Sequence, residues 1–230
     1  MKRMKQWGLE VIRELRNRIP PRQELMASTK TSGFSLLELM ITLSIALILA
    51  AVTFIGLRPM LNQAHVDSAY ATTLMALRNT RNLAITQSHE YYVNFNPVGF
   101  PAGTIQTQYQ PPTVGGIAQP LQQVITYSIP QDISFAVQAG FPAGTPDGFG
   151  CGLNAIDFES TACVPLNYVV FMPDGSARDS LGNYSNGLVY ITRISDSLFS
   201  SRAISVWGTT GRIRGWRMTQ QAGAWIWVQQ

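Results

Sequence analysis

One apolar run near the N-terminus constrains this 230-residue chain more than any other feature. Residues 34–57 contain one charged side chain, Glu38. At 1.5 Å per residue, a helix of that length spans about 36 Å, enough to cross a hydrocarbon core of about 30 Å. The run is too long for the apolar part of a secretory signal peptide, and helix-favouring sequence follows it. We therefore predict a transmembrane helix that continues beyond the membrane.

The charge of the chain is unevenly placed around this run. Residues 1–33 carry eight Lys/Arg against three Asp/Glu, whereas residues 34–230 carry nine Arg, no Lys and ten acidic residues. A basic segment ahead of an apolar run stays in the cytoplasm, so the later residues are predicted to lie on the far side of the membrane. The nearly neutral remainder does not indicate a fold-wide basic surface for nucleic acid.

Glu38 requires an explanation, because an acid at the centre of a membrane helix costs about 2.5–3.5 kcal/mol and less near an end. Its place four residues after Phe34 puts it near the cytoplasmic interface. Two interpretations stay open: a carboxylate that reaches the headgroups, or a partner for a positive charge. If the chain is cut before Phe34, the new α-amine of one subunit can pair with Glu38 of a neighbour.

The order of residues Gly33-Phe34-Ser35-Leu36-Leu37-Glu38 resembles the class III signal of type IV prepilins and type II secretion pseudopilins. The resemblance implies that prepilin peptidase cuts between Gly33 and Phe34, that the amine of Phe34 is methylated, and that Glu38 docks subunits. It further implies a single-pass protein of the bacterial inner membrane with a periplasmic C-terminal domain. Such a protein later joins other pilins or pseudopilins in a pilus or pseudopilus filament.

The leader that this cut would remove, residues 1–33, is long for that family. Two interpretations stay open. Translation could start at Met26, which gives the leader MASTKTSG, or the extension could form a basic amphipathic helix on the inner leaflet. The second rests on apolar residues at helical spacing: Met4, Trp7, Val11, Ile12, Leu15 and Ile19.

Past Pro59, which is predicted to kink the helix, residues 58–88 are predicted to form its periplasmic half. Apolar residues there recur with a period of about 3.6 and predict a face that packs on a globular domain: Met60, Leu61, Ala64, Tyr70, Leu74, Leu77, Ala84 and Ile85. The globular domain is assigned to residues 89–230. Its predicted strands are 91–95, 124–129, 133–137, 168–172, 188–194, 203–207, 212–218 and 224–228, and residues 96–123 and 138–165 are predicted as loops.

A second resemblance covers this domain. The passage Leu77-Arg78-x-x-Arg81 and the ordered motifs Phe171-x-Pro173-Asp174-Gly175, Gly187-Leu188-Val189 and Gly211-Arg212-Ile213-Arg214 are similar to the GspH/FimT class of minor pseudopilins. The resemblance implies an α+β pilin-like fold, with the long N-terminal transmembrane α-helix packed on an antiparallel β-sheet domain. It also implies a role in filament assembly, in either type II secretion or a type IV pilus.

The two cysteines, Cys151 and Cys163, cannot form a structural zinc site alone, and neither His65 nor His89 lies at usable spacing. In an oxidising compartment they are predicted to form a disulfide worth about 3 kcal/mol, with two free buried thiols as the alternative. The carboxylates nearby, Asp147, Asp157 and Glu159, are predicted to be solvated rather than to bind calcium. No metal or cofactor is predicted.

No nucleophile, base and acid stand together in the sequence, so an enzyme is not predicted. The arginines of residues 202–217 offer an alternative function, since they occur without an acid and an aromatic residue lies between two of them. FimT-type proteins with a Gly-Arg-x-Arg element are implicated in DNA capture during natural transformation, which makes DNA an alternative partner through Arg212, Arg214, Trp216 and Arg217. A simpler interpretation has Arg212 and Arg214 facing water while Ile213 packs inward. A third class is an anchored binding domain that never assembles.

Overall fold

The computed structural model describes residues 33–150, 154–159, 164–193 and 198–230. These residues form the helix α1 (Leu36–Gln87), two short 3₁₀ helices (Pro146–Gly148 and Leu198–Ser200) and ten strands. The strands are β1 (Tyr91–Phe95), β2 (Thr104–Tyr109), β3 (Gln122–Ser128), β4 (Ile156–Glu159), β5 (Tyr168–Phe171), β6 (Ala177–Arg178), β7 (Asn186–Ile191), β8 (Arg202–Val206), β9 (Ile213–Gln221) and β10 (Ala224–Gln229). The predicted α+β class, with an N-terminal apolar helix and antiparallel β-sheet, is confirmed.

The chain divides into two compact units, Met1–Val52 and Thr53–Gln230. The window Leu36–Thr53 has a mean hydropathy of 2.3, and none of it is buried. Two of its hydroxyl groups are satisfied locally, because Thr42 and Ser44 donate to backbone carbonyls one turn earlier. The window is long and apolar enough to cross a membrane. Helix α1 runs through Pro59, and the predicted kink there stays a prediction.

In the second unit, the buried face of α1 is built from small residues. Ala69, Ala76 and Ala84 are fully buried, and so are Thr73 and Thr80, whose hydroxyls donate to the carbonyls of Ala69 and Ala76. Short side chains let the helix approach the strands closely. The predicted apolar stripe is correct at Leu77 and Ala84 and wrong at four positions that are exposed: Met60, Leu61, Ala64 and Ile85.

The strands form two antiparallel five-stranded sheets rather than the one sheet expected. Their orders are β3-β2-β1-β5-β6 and β10-β9-β8-β7-β4. Both contribute to a single core with α1, in which the ring of Phe95 stacks on Phe158 with centroids 5.7 Å apart and meets Phe135 edge-on at 5.5 Å. A second, smaller cluster on β7 and β8 takes Phe141, Trp216 and Trp227 as its cover.

Gly215 on β9 marks where the helix and the second sheet are closest. A Cβ at this position would lie 1.6 Å from the hydroxyl oxygen of Tyr70 on α1. Only glycine therefore permits this packing of β9 against α1.

Several strand predictions were wrong in instructive ways. The uncharged stretch 96–123 contains β2 and the start of β3, and the predicted loop 138–165 contains β4. Residues 133–137 form only an isolated bridge, from Ser134 to Thr192. Cys151, Cys163, the leader 1–32 and the alternative start Met26 lie outside the described residues.

Candidate functional site

A surface cavity of about 530 Å³ lies between α1 and the turn that joins β8 to β9. We call it the arginine cleft, because Arg78 and Arg81 enter it from the helix and Arg212 enters it from the turn. Its other described lining residues are uncharged: Asn82, Thr210, Gly211 and Ile213. Three guanidinium groups thus share one surface depression with no carboxylate among the described residues that line it.

Arg81 fixes the geometry of this cleft. Its Nε donates to the carbonyl oxygen of Gly175 at 3.1 Å, and its Nη2 donates to the carbonyl oxygen of Thr210 at 3.0 Å. One side chain on α1 therefore holds two turns that are far apart in sequence, the Pro173-Asp174-Gly175 turn and the β8–β9 turn. The planar fork of arginine suits this task, since it offers separate donors in a rigid arrangement.

The two turns meet at Gly211. Its φ is +59°, and a Cβ there would lie 1.9 Å from the carbonyl oxygen of Gly175. The turn is closed by two backbone hydrogen bonds, from Gly211 N–H to the Trp207 carbonyl at 2.7 Å and from Trp207 N–H to the Arg212 carbonyl at 2.9 Å. Glycine at position 211 thus serves both the left-handed backbone and the close approach.

The arginines of the cleft differ from four other arginines of the domain, which each form a salt bridge. Arg178, Arg193, Arg202 and Arg214 each form a salt bridge, with Asp174, Asp132, Asp67 and Asp147 respectively. Within the described residues, no such bridge reaches Arg78, Arg81 or Arg212. The three arginines that line the cleft therefore differ from these four in having no salt bridge within the described residues.

The structure separates the four residues predicted as a DNA-binding group. Arg212 is exposed and lines the cleft, whereas Arg214 is bound to the carboxylate of Asp147 at 2.6 Å. Trp216 packs in the small cluster on the second sheet and donates through Nε1 to Ser205 Oγ at 2.9 Å. Arg217 lies directly opposite Arg202 on β8. These four side chains therefore do not form one continuous surface.

Asp147 is a buried anchor rather than the solvated carboxylate that was expected. Its side chain is 6% exposed and accepts hydrogen bonds from Arg214, from Ser205 Oγ at 2.5 Å and from Trp207 Nε1 at 3.2 Å. The guanidinium of Arg214 also lies 5.6 Å from the ring centroid of Trp207. This network holds the loop before β4 against the second sheet, so the charge of Arg214 is already compensated.

The N-terminal segment has a different geometry. Phe34 is 73% exposed and precedes the first residue of α1, and Glu38 is exposed in the first turn of that helix. A carboxylate in the first turn is stabilised by the helix dipole. Large apolar side chains exposed along this part of the helix include Leu36, Leu37, Leu39, Met40, Ile41, Leu43, Ile45, Leu47, Ile48, Leu49 and Val52.

Residues 28–54 match the prokaryotic N-terminal methylation motif. The motif includes the predicted cleavage junction, Glu38 and the apolar window of the helix. The match supports a type IV pilin-like protein that is processed by prepilin peptidase and assembles with other pilins. Together with the single described apolar helix, it indicates membrane anchoring before entry into a pilus. No curated protein and no solved structure matches the chain.

Beyond the methylation motif, sequence reasoning missed the partnership of Arg78 and Arg81 with Arg212. The signal was present, because positions three apart on a helix share a face. Nothing in the sequence indicated that the β8–β9 turn would meet that face. The described residues contain no cluster of three or more His, Cys, Asp or Glu that could hold a metal ion.

Proposed function

We propose that the chain is a minor pilin or minor pseudopilin of the GspH/FimT type that is cut between Gly33 and Phe34 and then enters a filament. The carrying observation is the methylation motif on a helix whose apolar side chains are unburied. In this proposal residues 1–33 are the leader, 34–57 form the transmembrane and filament-core helix, 58–88 continue that helix in the periplasm, and 89–230 form the globular domain. Its task there is to aid filament assembly.

The exposed helix supports a subunit that changes surroundings without refolding. Burial of apolar surface is worth about 25 cal/mol per Å², whether the surrounding groups are lipid chains or neighbouring helices. The same residues can therefore hold the subunit in the inner membrane and later form the core of a filament. Neither environment requires the globular domain to rearrange.

Glu38 provides the specificity that apolar burial lacks. Cleavage after Gly33 creates an α-ammonium group on Phe34, and N-methylation leaves that group basic. A carboxylate four residues away in the first turn is placed to accept the ammonium group of a neighbouring subunit. In a medium of low dielectric constant, such a pair is far stronger than in water, so Glu38 would select docked subunits.

Mass spectrometry of membrane-extracted protein tests the processing step. We expect a mature chain that begins with N-methylated Phe34 in cells with an active prepilin peptidase, and an intact Gly33–Phe34 junction in cells without the enzyme. An uncut chain in both cells would overturn the proposal.

Glu38→Gln tests the docking step separately. We expect this variant to be processed normally and to be lost from the sheared filament fraction. Ser44→Ala is the matched control, because Ser44 lies on the same helix and its hydroxyl bonds only within that helix in the described structure. Equal incorporation of both variants would show that Glu38 does not dock subunits.

A second candidate function is DNA binding during natural transformation, and the arginine cleft is the observation that favours it. Guanidinium groups without carboxylate partners suit phosphate oxygens. A gel shift of the detergent-solubilised mature chain tests this function. We expect Arg78→Gln/Arg212→Gln to weaken the shift at low salt, while Arg214→Gln, whose parent side chain is bound to Asp147, should change it less. The absence of a shift with the parent chain would remove this candidate.

A further inference from the structure

Two contacts define the end of the globular domain from which α1 leads back to the apolar window. On α1, His65 Nδ1 bonds to the carboxylate of Asp132 at 2.9 Å. Asp132 closely follows Ile129, whose N–H donates to the carbonyl oxygen of Gly103 at 3.1 Å. The helix residues before His65 therefore leave the domain at the end of the first sheet where β2 begins and β3 ends. We call this the anchor-side end.

Two turns lie at the anchor-side end. Residues 96–103 join β1 to β2, and residues 179–182 follow β6. The pairing of Asn94 with Tyr168 places the start of β5 beside the end of β1, and the Tyr168 hydroxyl donates to Ser180 Oγ at 2.7 Å. We call the two segments the anchor-side turns, since both lie at the end where the helix enters the domain.

The anchor-side turns expose apolar side chains that the domain does not cover. Val98 is 99% exposed, Leu181 is 83% exposed and Phe100 is 47% exposed. Residues 96–103 contain no charge, and the one charged residue of 179–182, Asp179, is buried. Exposed apolar side chains on uncharged turns indicate a contact surface for an apolar partner.

Hydrogen bonds fix both turns. The N–H of Gly103 donates to Asn96 Oδ1 at 2.7 Å across the first turn. In the second turn, Asp179 Oδ1 accepts from the N–H groups of Leu181 and Asn183 at 2.9 and 2.8 Å. The apolar side chains are therefore presented by backbone that is already fixed, and docking them would cost little conformational entropy.

We propose that the anchor-side turns place Val98, Phe100 and Leu181 in the headgroup layer of the bilayer that anchors the chain. The helix residues from 54 to 65 span about 18 Å, so the domain is held near that surface. The headgroup layer itself extends about 5–8 Å beyond the hydrocarbon core on each side. A protein partner would have to bring its own apolar surface, whereas the anchor supplies a bilayer to every unassembled copy. This docking rests on the membrane anchoring that is part of the function proposed above.

The chemistry of the turns makes this contact apolar rather than electrostatic. Because they expose no charge, they gain nothing from the negative surface potential of anionic lipids, and salt has no charge pair to screen. Burial of large apolar side chains in the interface stabilises the contact instead. The docking should therefore be equally strong on zwitterionic and on anionic phospholipids.

A photo-crosslinking amino acid at position 98 or 181 tests the docking in cells that lack prepilin peptidase, where the uncut full-length chain stays in the membrane. We expect phospholipid adducts on the peptides that carry these positions, identified by mass spectrometry. Adducts to protein alone at both positions would show a different occupant and would overturn the proposal.

Position 117 is the matched control, because it is also apolar and exposed but lies at the opposite end of the first sheet. Ile117 is 70% exposed, and its loop begins at Gln110, whose N–H donates to the carbonyl oxygen of Glu90 just after α1 ends. A crosslinker there should give lipid adducts at a yield lower by on the order of tenfold. Equal yields at positions 98, 117 and 181 would overturn the proposal.

Val98→Ser, measured with the crosslinker at position 181, tests whether the two turns dock together. We expect it to lower the lipid adduct by on the order of tenfold, because the docked state loses one apolar side chain. The variant should fold, since Val98 is almost fully exposed, and circular dichroism of the extracted chain checks this. Ile117→Ser should leave the adduct at the parental level. Equal yields in the two variants would contradict docking through Val98.

Reconstituted vesicles distinguish apolar docking from charge attraction. The full-length chain with the crosslinker at position 98 should give the same adduct yield in phosphatidylcholine alone as in phosphatidylcholine mixed with phosphatidylglycerol, at low and at high salt. Adducts that require phosphatidylglycerol would overturn the proposal.

Filament incorporation, measured in cells with the peptidase, separates this docking from the proposed function. Lipid adducts without incorporation would retain the docking and remove the function. Incorporation of a chain that gives no lipid adducts in the peptidase-deficient cells would do the reverse.

Discussion

Asp67 on α1 accepts a hydrogen bond of 2.6 Å from Nη2 of Arg202 on β8, whose side chain is only 1% exposed. Arg202 also donates to the carbonyls of Ser200 and Ser201. Arg217 lies directly opposite Arg202 on β9, and the two like charges repel each other. The carboxylate of Asp67 offsets this repulsion. Burial lowers the pKa of Arg202, while the charge of Asp67 acts in the opposite sense.

Asp67→Asn should lower the free energy of unfolding by about 1–3 kcal/mol, because it leaves a buried guanidinium without its counter-charge. The half-exposed position of Asp67 keeps the loss below that of a fully buried pair. Urea unfolding of the detergent-solubilised chain, followed by tryptophan fluorescence, measures it. Glu90→Gln is the control, since Glu90 has no salt bridge within the described residues. Equal midpoints for the two variants would contradict the prediction.

Gly211→Ala should destabilise the chain by more than about 3 kcal/mol, because the added Cβ would collide with the backbone oxygen of Gly175. Gly182→Ala is the matched control. Gly182 also has a positive φ, of +85°, but nothing lies within 4 Å of its added Cβ. It should therefore cost only about 1–2 kcal/mol from backbone strain. Thermal melts of the two variants would refute the steric argument if they coincided.

Arg81→Lys should lower the free energy of unfolding by about 1–2 kcal/mol, because an ammonium group cannot reproduce the two bonds to the Gly175 and Thr210 carbonyls. Arg78→Lys keeps the charge on the same helix, one turn away, at an exposed position. It should change stability by less than about 0.5 kcal/mol. Hydrogen exchange adds a local measurement: faster exchange at Gly211 N–H is expected in the first variant alone.

Asp132 should make stability depend on pH in the acid range. Burial raises the pKa of Asp132, but hydrogen bonding with His65 and the positive charge of Arg193 outweigh it, so the pKa lies below its ordinary value of 3.8. A lowered pKa contributes stability that is present above the ordinary value and is lost as pH falls through the folded one.

Asp132→Asn should accordingly show a deficit in unfolding free energy near pH 5 that shrinks as the pH falls below about 4. Urea titrations of parent and variant at a series of pH values measure this difference. A deficit that grew toward acid pH would have the wrong sign and would reject the assignment.

The sequence predicted those features that depend on local pattern. The apolar run around Glu38 and the alternation of 91–95 led directly to the N-terminal apolar helix and to β1. β2 was missed because its polar residues resemble a loop, yet Thr104, Gln106 and Thr107 are buried by their neighbours. The Thr107 hydroxyl lies 2.7 Å from that of Thr80 on α1, a contact that no local pattern reveals.

For the candidate sites too, the sequence predicted the contiguous motif but not the contacts that depend on the fold. The proposed cleavage junction and Glu38 lie within one contiguous motif, so they could be proposed without a fold. The neighbours of Arg212 depend on how the β8–β9 turn meets α1, and the partner of Arg214 comes from a loop more than sixty residues earlier. The two-residue period of a strand correctly predicts that neighbouring side chains point to opposite faces, but it does not predict which of them will pair with a carboxylate.

The double attachment of Arg81 has a mechanical consequence. The first sheet reaches the Gly175 turn through β5, and the second sheet reaches the Thr210 turn through β8 and β9, so both sheets are attached to one residue of α1. A pulling force along that helix in the second unit is therefore shared between the two sheets at a single guanidinium. Under load, those two carbonyl bonds would resist the separation of the helix from both sheets at once, beside the Thr80–Thr107 contact with the first sheet and the Asp67–Arg202 bridge to the second.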